Sequence, residues 1–173
     1  MSAFNLSIIV PIYNEAKQAA ALARGLRLLK DEWVKEIILV DGGSEDGGDE
    51  VLAKEFTVIR SAKGRAAQMN AGAQHATGTW LLFLHADTQL GVTHIKHAMS
   101  QGALYHWGRF NVRLSGEHFM FRIIERFINW RSQLTSVATG DQCLFIRKNL
   151  FDDINGFANI TLMEDVEICK RLR

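Results

Sequence analysis

The fold is decided by residues 6–43, LSIIVPIYNEAKQAAALARGLRLLKDEWVKEIILVDGG, in which two short apolar runs flank a longer segment. Leu6–Pro11 and Glu36–Val40 are apolar nearly throughout, a pattern typical of strands buried on both faces. Between them, Glu15–Lys30 repeats alanine and leucine at a spacing near 3.6 residues, which predicts a helix with one apolar stripe. The stretch therefore predicts a right-handed βαβ unit with parallel strands.

The same alternation continues along the chain. Further strands are expected at Phe56–Arg60, Trp80–Leu84, Trp107–Leu114 and Cys143–Arg147, and further helices at Asp49–Phe56, Arg65–Ala76, Val92–Gln101 and His118–Arg131. Strands that alternate with helices predict an α/β fold with a mostly parallel sheet flanked by helices on both faces. The 173 residues are the size of one domain, 1–173, without linkers. The final ICKRLR carries no helix stop signal, so truncation at the C-terminus stays open as a hypothesis.

The bulk composition excludes some partners and compartments. Twenty Lys and Arg against 19 Asp and Glu leave a formal charge of +1, which gives no basic field that would recruit nucleic acid. Cys143 and Cys169 have neither metal-site spacing nor the numbers for a disulfide framework, which favours a reducing compartment. No apolar stretch reaches the roughly 18 residues of a membrane span. We interpret the protein as cytoplasmic.

Polar clusters follow three of the predicted strands. They are PIYNE at 11–15, DGGSEDG at 41–47 and HADT at 85–88. In open α/β sheets, ligands bind outside the carboxyl ends of the strands. Each cluster alone is an ordinary turn, but their joint occurrence favours a ligand site.

Asp41 ends an apolar strand and is followed by two glycines. Its carboxylate can accept hydrogen bonds from a base or a ribose, and the glycines let a ligand approach the backbone. The alternative is an N-cap or an Asx turn. No GxGxxG or GxxxxGK[ST] motif follows any strand, so a bound diphosphate would need another counter-charge.

Asp87 can supply that counter-charge by binding a divalent cation, since a hard cation bridges carboxylate and phosphate oxygens. His85 lies two residues earlier and points to the same side if the strand persists. It is then a second ligand or a donor to phosphate. The alternative is a capping aspartate beside a packed histidine.

Acidic residues also open the last predicted helix, at Glu164 and Asp165. Acids at a helix N-terminus are favoured by the helix dipole for structural reasons alone. Against that alternative, the preceding Gly156-Phe157 turn and the apolar Leu162 would carry the pair towards a site.

The chain resembles the inverting glycosyltransferases of family 2, which have the GT-A (Rossmann-like) fold, in five motifs that occur in the same order. They are PIYNE at 11–15, VDGGSEDGG at 40–48, GRAAQMNAGAQHATGTWLLFLHADT at 64–88, GDQCLFIRKNLFDDINGF at 140–157 and MEDVEICKRLR at 163–173. The HADT and MEDVE forms most resemble a small bacterial subgroup found alongside radical-SAM enzymes.

The resemblance implies a nucleotide pocket. By position in the motifs, Pro11, Tyr13 and Glu15 line that pocket. Asp41 contacts the uracil or other base, and Arg65 contacts the nucleotide. The expected donor is a UDP-sugar.

The resemblance also implies the catalytic groups. Asp87 matches the last acid of the metal-binding DxD motif and would hold Mn²⁺ or Mg²⁺, while His85 stands in place of the first acid. Asp165 matches the general base, and Glu164 is its neighbour that shapes the acceptor site. The implied reaction is a single displacement that inverts the sugar.

Two other functional classes stay open. A non-catalytic nucleotide- or metal-binding module would need Asp41 and Asp87 but not Asp165. A nucleotidyltransferase would want a glycine- and lysine-rich loop after the first strand, which PIYNEA lacks.

The aromatic and basic segment 118–131, HFMFRIIERFINWR, suits an interfacial helix. It motivates the hypothesis of a lipid-linked acceptor and of a peripheral location at the inner face of the membrane. The alternatives are a core-facing helix and a homodimer contact.

Overall fold

The computed structural model of the chain describes residues 5–101, 104–116, 118–138 and 142–173. The strands are β1 Leu6–Ile12, β2 Val34–Asp41, β3 Thr57–Arg60, β4 Trp80–Phe83, β5 Trp107–Arg109 and β6 Leu144–Arg147. The helices are α1 Ala19–Leu28, α2 Gly48–Leu52, α3 Arg65–His75, α4 Val92–Gln101, α5 Phe119–Thr135, α6 Lys148–Asp153 and α7 Glu164–Arg171.

In the described part of the chain, six strands form one sheet in the order β3-β2-β1-β4-β6-β5. The first four are parallel, with β1 between β2 and β4. Strand β6 pairs antiparallel with β4, and β5 pairs antiparallel with β6. The predicted α/β fold with a mostly parallel sheet is confirmed. The carboxyl ends of β1, β2, β3 and β4 therefore lie at one edge.

The predicted strand Trp107–Leu114 is wrong beyond Arg109. The Phe110 N–H still donates to the Gln142 carbonyl at 2.8 Å, but the following residues leave the sheet. The Val112 N–H donates instead to a side chain of α5. Side-chain acceptors on a neighbouring helix thus replace a neighbouring strand.

Helices α1 and α6 also differ from prediction. Helix α1 begins at Ala19 rather than Glu15, because the Ala16 N–H donates to Asp46 Oδ2 at 2.8 Å in the loop after β2. Helix α6 was not predicted, since six residues are too few to show a helical period. It follows β6 without a connecting loop.

The core lies in two layers, one on each face of the sheet. Ile8 and Val10 pack with α1, α2 and α4, whereas Ile9 packs on the opposite face with α3, α6 and α7. On α3, a Cβ at Gly72 would lie 2.4 Å from Ile9 Cγ2, so this close helix contact requires glycine. Burial of each large aliphatic side chain stabilises the fold by about 1.5–3 kcal/mol.

Glu36 ties the amino end of the sheet together. Its Oε1 accepts hydrogen bonds from Ser7 Oγ at 2.6 Å, the Thr77 N–H at 2.7 Å and Thr77 Oγ1 at 2.8 Å. Burial would raise the pKa of Glu36, but these hydrogen bonds and the charge of Lys35 outweigh it, and the pKa is lowered.

Glu36→Gln is therefore expected to lower the melting temperature at neutral pH by about 3–6 °C, since hydrogen bonds to a charged group are the stronger ones. A lowered pKa contributes stability that is present above the ordinary glutamate value near 4.3 and is lost as the pH falls through the folded-state pKa. The difference between wild type and variant should then narrow below pH ~4. Thermal melts across pH test this, with the exposed Glu32→Gln as control. A constant difference across the acidic range would contradict it.

Candidate active site

Hydrogen bonds join the loops that follow β1 and β2. The Asn14 N–H donates to Ser44 Oγ at 2.8 Å, and the Glu45 N–H donates back to Asn14 Oδ1 at 3.0 Å. Asp46 accepts from the Ala16 N–H, and this bond is the main cause of its lowered pKa. The two loops therefore behave as one wall of the sheet edge.

Gln68 of α3 holds the strand ends beneath these loops. Its buried Nε2 donates to the Ile12 carbonyl at 2.8 Å and to the Val40 carbonyl at 2.7 Å. A Cβ on Gly42 would lie 3.0 Å from the Gln68 side chain, so the loop after β2 passes close to the amide. This amide fixes the spacing between β1 and β2 and directs the start of α3 towards the edge.

A cleft of about 360 Å³ opens at the carboxyl ends of β1 and β4. Most of the residues predicted from sequence line it together, namely Pro11, Tyr13, Glu15, Arg65, His85, Asp87 and Glu164.

Asp41 does not line the cleft. Its carboxylate is completely buried and accepts hydrogen bonds from the Gly43 N–H at 3.0 Å, the Ser44 N–H at 3.0 Å and Ser44 Oγ at 2.6 Å. The contact of Asp41 with a base stays a prediction, and its carboxylate oxygens bind the backbone and the side chain of the following loop. These hydrogen bonds correspond to the alternative of an Asx turn, and they hold residues 42–44 against the end of β2.

Asp165 also lies outside the cleft lining, in the first turn of α7. It is half-buried, and its Oδ1 accepts a hydrogen bond from the Val166 N–H at 2.7 Å. In the described part of the chain, its second carboxylate oxygen makes no hydrogen bond. Glu164, in contrast, is 3% exposed and reaches the cleft.

The turn before α7 is held against α3. Asn70 Nδ2 donates to the Phe157 carbonyl at 2.8 Å, and the Phe157 N–H donates to Asn70 Oδ1 at 2.9 Å. Arg171 donates to the Gly156 carbonyl at 2.6 Å. These contacts fix the Gly156-Phe157 turn, from which the chain runs to Glu164. Gly140 and Asp141, which open the motif at 140–157, lie outside the described residues.

Negative charge is concentrated at the loops that follow β1 and β4. The pKa of Glu15 is raised by burial and then by the charges of Asp87 and Asp46. Asp87 itself is exposed, with a hydrogen bond from Thr88 Oγ1 at 3.4 Å. A cation bound beside these carboxylates would relieve the repulsion between their charges.

Positive charge lines the same cleft. Lys63 Nζ lies 4.1 Å from the centroid of the Tyr13 ring, a cation–π contact. Arg65 Nη1 lies 3.7 Å from Glu164 Oε1, and the arginine side chain is half exposed. Lys63 was not predicted from the sequence. The Lys63-Gly64-Arg65 run follows a parallel strand at the same edge as the other clusters, which becomes apparent only once β3 is placed in the sheet.

The carboxylates of the cleft suit a divalent cation whose remaining ligands come from water and from a bound substrate. Among the described residues, no group of three or more His, Cys, Asp or Glu side chains could hold a metal. Mg²⁺ and similar hard cations commonly use only one or two protein carboxylates, with water and substrate phosphates as the remaining ligands. Asp87 and Glu15 provide such a pair, and His85 lines the cleft beside them.

A wider groove of about 1560 Å³ meets the cleft at Asp87. Aromatic side chains line it at Trp107 and Phe110, and basic side chains line it at Arg109 and Arg113. Burial lowers the pKa of the Arg109 guanidinium, although the Cys169 thiol opposes this shift. The groove therefore combines an apolar surface with positive charge.

A mostly parallel sheet flanked by helices, with acidic and basic side chains around a cleft at the carboxyl ends of its strands, defines an α/β protein with a ligand-binding edge. A sequence profile described as Glycosyl transferase family 2 matches residues 7–153. The chain belongs to that family.

Curated relatives match part of the chain. An undecaprenyl-phosphate 4-deoxy-4-formamido-L-arabinose transferase from Aeromonas hydrophila is 29% identical over 96 residues, covering 49% of this chain and 29% of the relative. A PGL/p-HBAD biosynthesis glycosyltransferase from Mycobacterium bovis is 36% identical over 99 residues, covering 52% and 38%. The chain thus spans well under half the length of these relatives.

Solved structures share the fold. The mannosyltransferase PcManGT from Pyrobaculum calidifontis, in complex with GDP-Man and Mn²⁺, superposes with a TM-score of 0.71 at 19% identity, over 93% of this chain and 49% of that one. TarS 1-349 from S. aureus, in complex with UDP-GlcNAc, gives 0.69 at 19% identity, over 95% and 52%. The expected GT-A fold is confirmed.

Proposed function

We propose that this chain is the catalytic core of an inverting glycosyltransferase, which moves a sugar from a nucleotide-diphosphate sugar to an acceptor hydroxyl. The observation that carries the proposal is the cleft at the strand ends, where Asp87 and Glu15 lie together with Lys63 and Arg65. Such a site matches the needs of a diphosphate and its counter-ion. Family membership and the sugar nucleotides bound by structural neighbours support the choice, and a UDP-sugar is the expected donor.

The donor would lie along the cleft with its diphosphate at Asp87. Tyr13 and Pro11 line the part of the cleft that would receive the nucleotide, and Lys63 and Arg65 would contact phosphate oxygens. Mn²⁺ or Mg²⁺, held by Asp87 with Glu15 or His85 beside it, would supply charge stabilisation for the leaving diphosphate. The side chains that would hold the ion are mainly carboxylates, which offer the oxygen ligands that such ions prefer.

Asp165 would be the general base. Glu164 is buried against Arg65, so its carboxylate would hold the Arg65 guanidinium in place at the donor cleft. Asp165 is partly exposed at the start of α7, and one of its carboxylate oxygens is free of hydrogen bonds from described residues. It can accept the proton of an acceptor hydroxyl while the oxygen attacks the anomeric carbon. One displacement from the far side of the sugar inverts its configuration.

The acceptor would occupy the wider groove, which meets the donor cleft at Asp87. Its aromatic lining suits an apolar group, and Arg109 and Arg113 suit a phosphate. One curated relative is named for undecaprenyl-phosphate, which supports a lipid-linked acceptor as the proposal for this chain.

A panel of nucleotides and nucleotide sugars, scored by thermal shift with and without Mn²⁺, tests donor binding. With Mn²⁺ present, UDP at about 100 times its dissociation constant should raise the melting temperature by roughly 5–10 °C. Uridine, which lacks the diphosphate, is the matched control and should have little effect. Equal shifts with UDP and uridine, or no shift with any sugar nucleotide, would count against the proposal. Slow donor hydrolysis that Asp165→Asn abolishes would separate an enzyme from a binding module.

A further inference from the structure

Helix α5 presents its apolar side to solvent and its polar side to the protein. Glu125 and Ser132 are its buried residues. On the outer side, Phe119, Phe127 and Leu134 are 66%, 62% and 66% exposed. We call the outer side the apolar strip of α5, which consists of Phe119, Met120, Ile123, Ile124, Phe127, Trp130 and Leu134.

Hydrogen bonds from the inner side fix this orientation. The Asn129 side chain accepts from the Val112 N–H at 2.9 Å and donates to the Val112 carbonyl at 3.0 Å. Glu125 accepts from the Leu114 N–H, and Ser132 Oγ donates to Gln142 Oε1 at 2.7 Å. Rotation of α5 that buried the apolar strip would cover the backbone groups of Val112 and Leu114 without giving them hydrogen-bond partners, at a cost of about 1–3 kcal/mol each. The strip therefore faces outward by construction.

Basic side chains border the apolar strip. With 3.6 residues per turn, Arg126 and Arg131 lie on opposite sides of the C-terminal part of the strip, which consists of Phe127, Trp130 and Leu134. Both are exposed, and within the described ranges neither makes an ion pair. Arg122, in contrast, lies 3.1 Å from Glu125 Oε1 and donates to the Leu114 carbonyl. Two cations thus remain free to meet an anionic partner.

We propose that α5 docks on an anionic lipid bilayer, with the apolar strip in the interface and with Arg126 and Arg131 at the lipid head groups. A helix with an apolar face that contains tryptophan and phenylalanine, edged by arginine, has the character of an interfacial helix. Its 17 residues span about 26 Å, which fits a helix lying flat. No helix among the described residues is long and apolar enough to cross a bilayer, so docking is peripheral.

Charge distinguishes this partner from a second copy of the chain. If two copies packed their strips together, four unpaired arginines would be placed around one apolar contact, without exposed acidic residues on α5 to match them. An anionic lipid surface instead attracts each of them. The apolar strip and the arginines beside it therefore both favour an anionic bilayer as the partner of α5.

Docking would also place the wider groove beside the bilayer. The inner side of α5 holds the segment 110–116, which lines that groove together with Arg122. A lipid-linked acceptor could then reach the groove from the membrane surface. This last consequence rests on the proposed function, whereas docking itself does not.

The test is flotation of the purified chain with phosphatidylcholine vesicles and with vesicles that also contain phosphatidylglycerol. Binding is expected only to the anionic vesicles and should weaken as salt is raised. Arg126→Glu and Arg131→Glu should each weaken it roughly fivefold or more. Ile123→Glu with Phe127→Glu should abolish it. Leu28→Glu, at an exposed leucine of α1, is the matched control and should leave binding unchanged.

Fluorescence of Trp130 gives a readout that is local to α5. Anionic vesicles should shift the emission to the blue, and Trp130→Phe should remove that shift while flotation persists. Absence of vesicle binding by the wild-type chain, or binding that the charge and apolar variants leave unchanged, would overturn the proposal. A concentration-dependent dimer in sedimentation velocity that Phe127→Glu dissociates, without vesicle binding, would assign the strip to a second copy. Circular dichroism melts confirm that each variant is folded, and donor thermal shifts test the proposed function separately.

Discussion

Asp165→Asn is expected to slow sugar transfer by roughly 10²–10⁴-fold, the contribution of a positioned general base. The substitution keeps the size of the side chain, and its amide oxygen can still accept the Val166 N–H that Asp165 Oδ1 accepts now. Folding and donor affinity should therefore survive. Transfer rate, donor affinity and melting temperature are measured on the same preparation.

Glu164→Gln is the paired control, since it changes the adjacent carboxylate. Glu164 is buried against Arg65, so its loss should weaken donor binding more than it slows the chemical step. If Glu164→Gln abolishes transfer while Asp165→Asn transfers at close to the wild-type rate, the base is Glu164. If Asp165→Asn loses stability and donor binding together, the acid serves the helix N-terminus instead.

Leu6–Pro11 and Glu36–Val40 are apolar nearly throughout, and the helix between them has one apolar stripe. The meeting of the clusters followed from the same fact, since the carboxyl ends of parallel strands share an edge. Local pattern was sufficient where local burial decided the structure.

The orientation of α5 could not be predicted in the same way. Its amphipathic character is visible in the sequence, but an apolar stripe normally faces a core. Here Val112, Leu114 and Gln142 supply hydrogen-bond partners to its polar side. Those partners lie outside the helix, and the early end of β5 at Arg109 brings two of them to it. The early end of β5 and the outward orientation of the apolar strip have this single tertiary cause.

The orientation of the Asp41 side chain could not be predicted from the sequence. An acid after a buried strand can point to a ligand or cap its own loop, and the two choices have the same sequence pattern. In the structure the Asp41 carboxylate binds its own loop, because the Ser44 N–H and hydroxyl both donate to it. Lys63 was missed because a cation that follows a four-residue strand at 57–60 has no pattern of its own.

Asp87→Ala is expected to weaken metal-dependent binding of a nucleoside diphosphate by at least about 10–100-fold, the loss typical when even an outer partner of a metal ligand is removed. The reason is that Asp87 is the exposed carboxylate shared by the donor cleft and the wider groove. Chelation of Mn²⁺ should lower the affinity of the wild type for the nucleoside diphosphate by a similar factor. Chelation should then lower the affinity of Asp87→Ala little further. Titration calorimetry with UDP, with and without a chelator, measures both.

Two further variants locate the effect. Glu15→Gln should weaken binding less, because Glu15 is the partly buried neighbour whose pKa is raised by its burial and by Asp87. Asp153→Asn, at an exposed position on α6, should have no effect. Equal affinity of the wild type and Asp87→Ala, with no effect of chelation on either, would mean that the diphosphate is held by Lys63 and Arg65 alone. In that case charge reversal at Lys63 should abolish binding, and the site would have to be described as independent of metal.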